Sequence, residues 1–108
     1  MNILWVIVTC PTPHEAVEIG KKVLAKRYAA CFDVVPRFAS YYFWPPKAKR
    51  IERAEGAILI FLTFPKYTER IKKLVKKIHS DKLPFIGTLI IKDVHKDFIR
   101  WMKDELVS

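Results

Sequence analysis

The sequence predicts an α+β fold of the ferredoxin-like type, with an extended hairpin between strands two and three and an extra C-terminal helix. Strand-like apolar runs and helical patterns follow one another in the order β-α-β-β-α-β. The run from Ala29 to Trp44 is rich in β-branched and aromatic residues and indicates an unusually long strand. The right-handed crossover rule then makes strands one and two parallel, with strand three between them.

The first strand and the first helix have clear sequence signals. Asn2 to Thr9 is a continuous apolar run, which is typical of a buried central strand. Thr12 is followed three residues later by Glu15, and Pro13 occupies the first helical position, so the three residues form a capping-box signal. We expect the helix to continue to about Arg27.

The long second strand leads into a protruding hairpin. Pro36 cannot donate to a central ladder, so it predicts a bulge or an edge strand. The prolines and cations from Trp44 to Arg50 indicate a turn, and the apolar run from Ile51 to Thr63 forms the returning strand. One small domain cannot bury all of this aromatic surface, so we expect the hairpin to meet another subunit.

The remainder of the chain completes the plait. Pro65 opens a second helix with an apolar stripe and solvent-facing lysines. Phe85 to Ile91 is predicted as the fourth strand, and a last helix begins at about Lys96. That helix has no place in the minimal plait, so we expect it to pack over the sheet or a neighbouring subunit.

Length and charge limit the classes of protein to consider. The 108 residues predict a single domain spanning 1–108. The apolar run Leu4 to Val8 is too short to span a membrane and carries no leader features, so we expect a cytoplasmic protein without membrane association. The formal net charge of +9 permits binding to nucleic acid, but the cations are dispersed, which favours solvated faces. Two cysteines form no disulfide framework and are expected to be free thiols.

The predicted topology places several side chains that could bind a metal ion at one end of the sheet. Cys10, His14, His79 and Asp81 should lie together there, and Cys31 should lie at the opposite end. Thiolate, imidazole and carboxylate could bind copper or zinc. No C-x-x-C, H-x-H or H-E-x-x-H spacing is present, so the alternative is that these residues serve packing and helix ends.

The sequence does not favour catalysis. It lacks a glycine-rich phosphate loop, and no side chain is evidently placed to orient a Cys–His pair, so we expect a protein that is not an enzyme. The aromatic residues between Phe38 and Trp44, beside Lys47, Lys49 and Arg50, could stack RNA bases. They alternate imperfectly with the cations, which favours packing or an interface.

A set of short motifs, taken in order, resembles the CutA divalent-cation tolerance family. The motifs are Thr9-Cys10-Pro11, Tyr28-Ala29-Ala30-Cys31, Pro36, Ser40-Tyr41-Tyr42-Phe43-Trp44, Ile51-Glu52, His79 with Pro84, and Phe98 with Trp101. The resemblance implies a stable cytoplasmic ferredoxin-like homotrimer that is linked to metal tolerance and binds copper. It also implies metal ligation by Cys10 and His79.

The sequence departs from the family pattern at several positions. The turn after Trp44 is longer and lacks the family glycine, Leu62 replaces a lysine, and Asp81 replaces a tyrosine. Ile78 stands where the family has a second histidine. The first hypothesis is therefore a trimeric, non-enzymatic CutA-like protein that binds divalent metal ions, copper first. The alternatives are a PII-like regulatory trimer that binds an anionic small molecule and a plait-type RNA-binding module.

Overall fold

The computed structural model describes residues 2–107, which form one sheet flanked by helices. The strands are β1 (Ile3–Cys10), β2 (Cys31–Phe43), β3 (Ile51–Thr63) and β4 (Ile86–Ile91). The helices are α1 (Pro13–Ala25), α2 (Thr68–Ile78) and α3 (Lys96–Glu105), and a 3₁₀ turn, Pro65–Tyr67, precedes α2. The α+β class and the order of the elements are as predicted.

The sheet has the strand order β2-β3-β1-β4, and each neighbouring pair is antiparallel. Since β1 and β2 both run antiparallel to β3, they are parallel to each other, as the crossover rule predicts. The strands pair in a register that aligns Cys10 with Ala57 and Cys31 with Leu62. These pairings make the ferredoxin-like plait.

Strands β2 and β3 form the extended hairpin that the sequence predicts. They pair from Cys31 to Phe43, with a register shift between Arg37 and Ser40. Pro36 lies on the edge strand just before that shift, so the predicted edge is present and the irregularity follows it directly. The chain measures 48 × 26 × 22 Å along its principal axes.

Two helix boundaries differ from the sequence prediction. Helix α1 ends at Ala25 rather than near Arg27, because Arg27 adopts a left-handed backbone conformation with φ 59°. Its guanidinium donates to the carboxylate and to the carbonyl of Glu105 at the end of α3. At the second helix, Pro65 opens a 3₁₀ turn, and the α-helix begins only at Thr68.

The core lies between one face of the sheet and the helices. Helix α1 packs on β2 and β3 and lies beside α2. The buried side chains that fill this layer are Val6, Val8, Ala16, Ile19, Val23, Leu59, Phe61, Ile71 and Val75. Ile99 and Met102 of α3 belong to the same cluster, so the extra helix completes the core of this chain.

The opposite face of the sheet is apolar but incompletely covered. Trp5, Ile7, Ile58 and Ile60 point to that face, since strand residues alternate between the two sides, and they are only partly buried. On the hairpin, Phe38 is 85% exposed. Large apolar side chains are also exposed at Tyr41, Phe43 and Ile51. The chain therefore leaves a broad apolar surface unpaired.

The two cysteines lie far apart. Cys10 is buried, Cys31 is partly buried, and both are free thiols. Their partners on β3 are five residues apart and β3 itself separates the two strands, which places the cysteines about 20 Å from each other. A disulfide requires Cα atoms within about 7 Å. The expectation of two free thiols at opposite ends of the sheet agrees with this geometry.

Thr63 at the end of β3 provides a test of the fold. Its side chain is fully buried, and its hydroxyl donates to the carbonyl of Tyr28 at 2.6 Å. Thr63→Val preserves shape but leaves that carbonyl without its partner, so we expect a loss of roughly 1–2 kcal/mol in the free energy of unfolding. Guanidinium denaturation measures the change. The control is Thr88→Val on the exposed part of β4, and an equal loss in both variants would contradict the assigned role.

Candidate functional site

The buried thiol of Cys10 marks the end of β1 where the sequence predicted chemistry. Cys10 is 1% exposed. Burial, and then the nearby charges of Glu15 and Asp81, raise the pKa of the thiol to about 11, while Arg37 acts in the opposite direction. The thiol is therefore protonated at neutral pH, and a metal or electrophile must displace a proton to react with it.

His79 is a buried connector between α2 and β1. Its Nε2 lies 2.8 Å from the carbonyl oxygen of Thr9, and its Nδ1 accepts a hydrogen bond from the amide of Asp81 at 3.0 Å. The amide must donate, so Nδ1 carries the lone pair and Nε2 carries the proton that bonds Thr9. Both ring nitrogens are thus occupied in this structure.

Glu15 fixes the loop that follows His79. Its carboxylate accepts hydrogen bonds from the backbone amide and from the hydroxyl of Ser80, at 3.1 and 2.7 Å. Its Oε2 also lies 3.6 Å from Nδ1 of His79. The backbone of Glu15 is fixed as well. The side chain of Thr12 caps α1 by accepting a hydrogen bond from the amide of Glu15 at 3.0 Å, as the capping-box signal predicts.

The predicted cluster is only partly assembled. His79 bonds the residue next to Cys10, and the charge of Asp81 is close enough to raise the pKa of the Cys10 thiol. His14 lies exposed on the first turn of α1, and Cys31 lies at the far end of the sheet. Among residues 2–107, no group of three or more His, Cys, Asp and Glu side chains is arranged to hold a metal ion.

Metal ligation by Cys10 and His79 stays a prediction. The structure does bring a thiol and an imidazole to neighbouring positions at one end of the sheet. However, His79 would have to give up one of its two hydrogen bonds before it could offer a lone pair to an ion. A two-residue site of this kind would bind an ion only after a local rearrangement.

A cleft of about 580 Å³ opens beside this corner. The β2–β3 hairpin, from Arg37 to Trp44, forms one wall, and the loop from Ser80 to Phe85 forms the other. Tyr42, Trp44 and Phe85 supply aromatic surface, and the volume suits a small organic ligand. The cleft carries two cations and two carboxylates, which are Arg37, Lys82, Glu55 and Asp81.

Arg37 is a residue of this cleft that the sequence reasoning did not select. Its Nε is buried and has no hydrogen-bond partner among the described residues. An unpaired buried donor costs roughly 1–3 kcal/mol. The available signal was the one cation of the predicted strand, directly after Pro36, but only the folded structure shows that it lines the cleft.

Gly56 gives Arg37 its space. The two residues are paired across β2 and β3. A Cβ at position 56 would lie 2.4 Å from the carbonyl oxygen of Cys10 and 2.8 Å from Nη2 of Arg37, which is closer than any real contact. The absence of a side chain therefore lets the end of β1 and the guanidinium approach the same strand position.

The fold and the site together define a class of small ferredoxin-like proteins with a long β2–β3 hairpin and with a thiol and an imidazole at the end of β1. The sequence matches the family model of the CutA1 divalent ion tolerance protein over residues 4–105. The chain belongs to this family.

Two relatives and one solved structure show the extent of the likeness. The divalent-cation tolerance protein CutA of Thermotoga maritima is 30% identical over 105 residues, which cover 97% of this chain and 100% of that protein. The protein of the same name from Thermus thermophilus is 31% identical over 102 residues, with coverage of 92% and 93%. The structure of the periplasmic divalent cation tolerance protein CutA from Archaeoglobus fulgidus has a TM-score of 0.88 at 28% identity, with coverage of 97% and 98%.

The role of His79 as a connector is testable by substitution. His79→Ala removes both hydrogen bonds of a buried ring, so we expect the free energy of unfolding to fall by roughly 2–4 kcal/mol. The matched control is His14→Ala, an exposed histidine, with an expected change within about 0.5 kcal/mol. Chemical denaturation at pH 7 measures both variants. Similar small effects in the two would mean that the buried imidazole does not hold this corner together.

Proposed function

We propose that this chain contributes to divalent metal ion tolerance by binding the ion, copper first, as a non-enzymatic cytoplasmic homotrimer. Membership of the family supports the tolerance role. The neighbouring thiol and imidazole at Cys10 and His79 support the choice of ion. Sulfur and imidazole ligands suit copper or zinc, whereas magnesium and calcium prefer oxygen ligands.

The chemistry of the corner supports a binding role rather than catalysis. A Cys–His nucleophile requires an accessible thiol whose proton passes to the imidazole. Cys10 is buried with its pKa raised to about 11, and both nitrogens of His79 are bonded to backbone groups. The pair is therefore poorly arranged for nucleophilic attack.

Three copies of the chain would cover its unpaired apolar surface. The hairpin exposes Phe38 and Phe43, the second face of the sheet is only partly covered, and β2 presents a free edge. Exposed apolar surface of this extent is typical of an interface, and a closed ring also removes unpaired strand edges. A homotrimer with Tyr41, Phe43 or Trp44 at the interface satisfies these requirements.

Light scattering tests the assembly. We expect the mass of three 12.7 kDa chains at micromolar concentration. Tyr41 and Phe43 point to the same side of the hairpin, so the double variant Tyr41→Glu, Phe43→Glu should place charges in the apolar interface and lower the mass. Leu83→Glu, at an equally exposed apolar residue outside the hairpin, is the control and should keep the mass of the unmodified protein. A monomeric unmodified protein would refute the proposed trimer.

Calorimetric titration with copper tests the metal part of the proposal. Cys10→Ser and His79→Ala should each weaken copper binding by roughly tenfold or more, while Cys31→Ser should leave it unchanged. Because the Cys10 thiol is protonated below a pKa of about 11, copper uptake should release a proton and weaken roughly tenfold for each unit of decreasing pH. Circular dichroism shows whether each variant is folded. Unchanged affinity in folded forms of both site variants would exclude this corner as the copper site.

A further inference from the structure

The guanidinium of Arg37 has no assigned partner. Its Nε is shielded from solvent and unpaired, and none of the ion pairs among residues 2–107 includes this arginine. By contrast, Arg27, Arg50 and Arg53 each lie within 3.3 Å of a glutamate. A permanently charged group with an unused donor in the wall of a cleft can donate hydrogen bonds to an anionic oxygen.

The guanidinium of Arg37 packs over Gly56. The two residues are paired across β2 and β3, and a Cβ at position 56 would lie 2.8 Å from Nη2. Arg37 lines the cleft, and its Nε–H and Nη2–H lie along one edge of the guanidinium. This pair of parallel donors matches the two oxygens of a carboxylate.

The other lining groups restrict the kind of anion. Lys82 adds a second cation, but Glu55 and Asp81 add two carboxylates, so the formal charge of the cleft is zero. A neutral cleft does not favour phosphates or nucleotides that carry several negative charges, because the two carboxylates would repel them. A ligand with one negative charge can meet Arg37 and leave the remainder of the cleft to uncharged contacts.

The walls indicate what the uncharged part of the ligand should be. The apolar lining comes from the hairpin, at Tyr42 and Trp44, and from the loop after α2, at Leu83 and Phe85. Aromatic and aliphatic walls of this kind bind flat or branched apolar groups. The volume of about 580 Å³ admits a small organic molecule of that shape.

We propose that this cleft binds a small organic monocarboxylate with an apolar or aromatic body, whose carboxylate is held by Arg37. The cleft adjoins the predicted metal pair, since the charge of Arg37 acts on the Cys10 thiol, but the residues that line the cleft include neither Cys10 nor His79. The two ligands would therefore be held by different side chains. The proposal adds an organic ligand to a protein whose family is described by metal tolerance.

Calorimetric titration of the metal-free protein with phenylacetate tests the site. We expect saturable binding at up to millimolar concentration, together with weaker binding of phenethyl alcohol, which has the same ring without the charge. Inorganic phosphate, which has the charge without the ring, should also bind more weakly. The absence of phenylacetate binding, or equal binding of either of the other two probes, would overturn the proposal.

Substitutions identify the group that holds the carboxylate. Arg37→Gln should weaken phenylacetate binding by roughly tenfold or more, because it removes a charge-assisted pair of donors. Lys82→Gln is the matched control within the same cleft and should weaken binding by less than about threefold, because this lysine is exposed. A larger effect at Lys82 than at Arg37 would mean that Lys82 binds the carboxylate, and it would refute the proposed site.

A measurement on the unmodified protein keeps the test independent of variant folding. The Nε–H of Arg37 is buried, so its proton should exchange slowly enough to give a nuclear magnetic resonance signal. Phenylacetate should shift this signal, with the same concentration dependence as the heat of binding. A signal that does not move while phenylacetate binds would place the ligand elsewhere and overturn the proposal.

Discussion

The hydrogen bond between His79 and the carbonyl of Thr9 is the interaction on which the corner of the molecule depends. It joins two residues that are 70 positions apart in the chain and ties the end of α2 to the end of β1. The same ring accepts a hydrogen bond from the amide of Asp81, at the start of the loop that forms one wall of the cleft. The imidazole can do this inside the protein because both of its nitrogens are satisfied. One buried side chain thus positions both the thiol of Cys10 and the wall opposite the hairpin.

The β2–β3 hairpin has two halves with different surroundings. Its inner half belongs to the sheet and contributes Leu59 and Phe61 to the core, whereas its outer half carries exposed aromatic rings. The register shift between Arg37 and Ser40 lies where these two halves meet. The cleft begins at this level and continues along Tyr42 and Trp44 of the outer half, so the hairpin forms a wall of the cleft and also exposes aromatic rings.

The corner contains two kinds of chemistry with opposite requirements. A metal at Cys10 would need loss of the thiol proton and release of a nitrogen of His79, both of which the folded chain resists. A carboxylate at Arg37 would need the buried Nε–H to become accessible, but no proton has to leave, because the guanidinium is already charged. The energetic cost of preparing the site therefore differs between the two ligands, although they lie within the same region of the fold.

The sequence by itself determined the fold class, the order of the elements and most of their limits. Strand β3 has its predicted bounds, Ile51–Thr63, and the Thr12 cap starts α1 where its local signal placed it. These features depend on residues close together in the chain, so they are readable without coordinates. The end of α1 at Ala25 was not readable, because the left-handed Arg27 is held by a contact with Glu105.

The tertiary structure alone decided what the residues of the site do. The sequence predicted Cys10 and His79 at one end of the sheet, but it could not show that one imidazole nitrogen bonds the carbonyl of Thr9, 70 positions away, while the other accepts from the amide of Asp81. Nor could it show that Arg37 faces Gly56 across the hairpin with an unused donor, because that pairing depends on the register of two long strands. Periodicity specifies which residues are apolar and how they alternate. A bond between residues remote in the chain, such as that of His79 with Thr9 at 2.8 Å, is set only when the packed elements bring the two groups together.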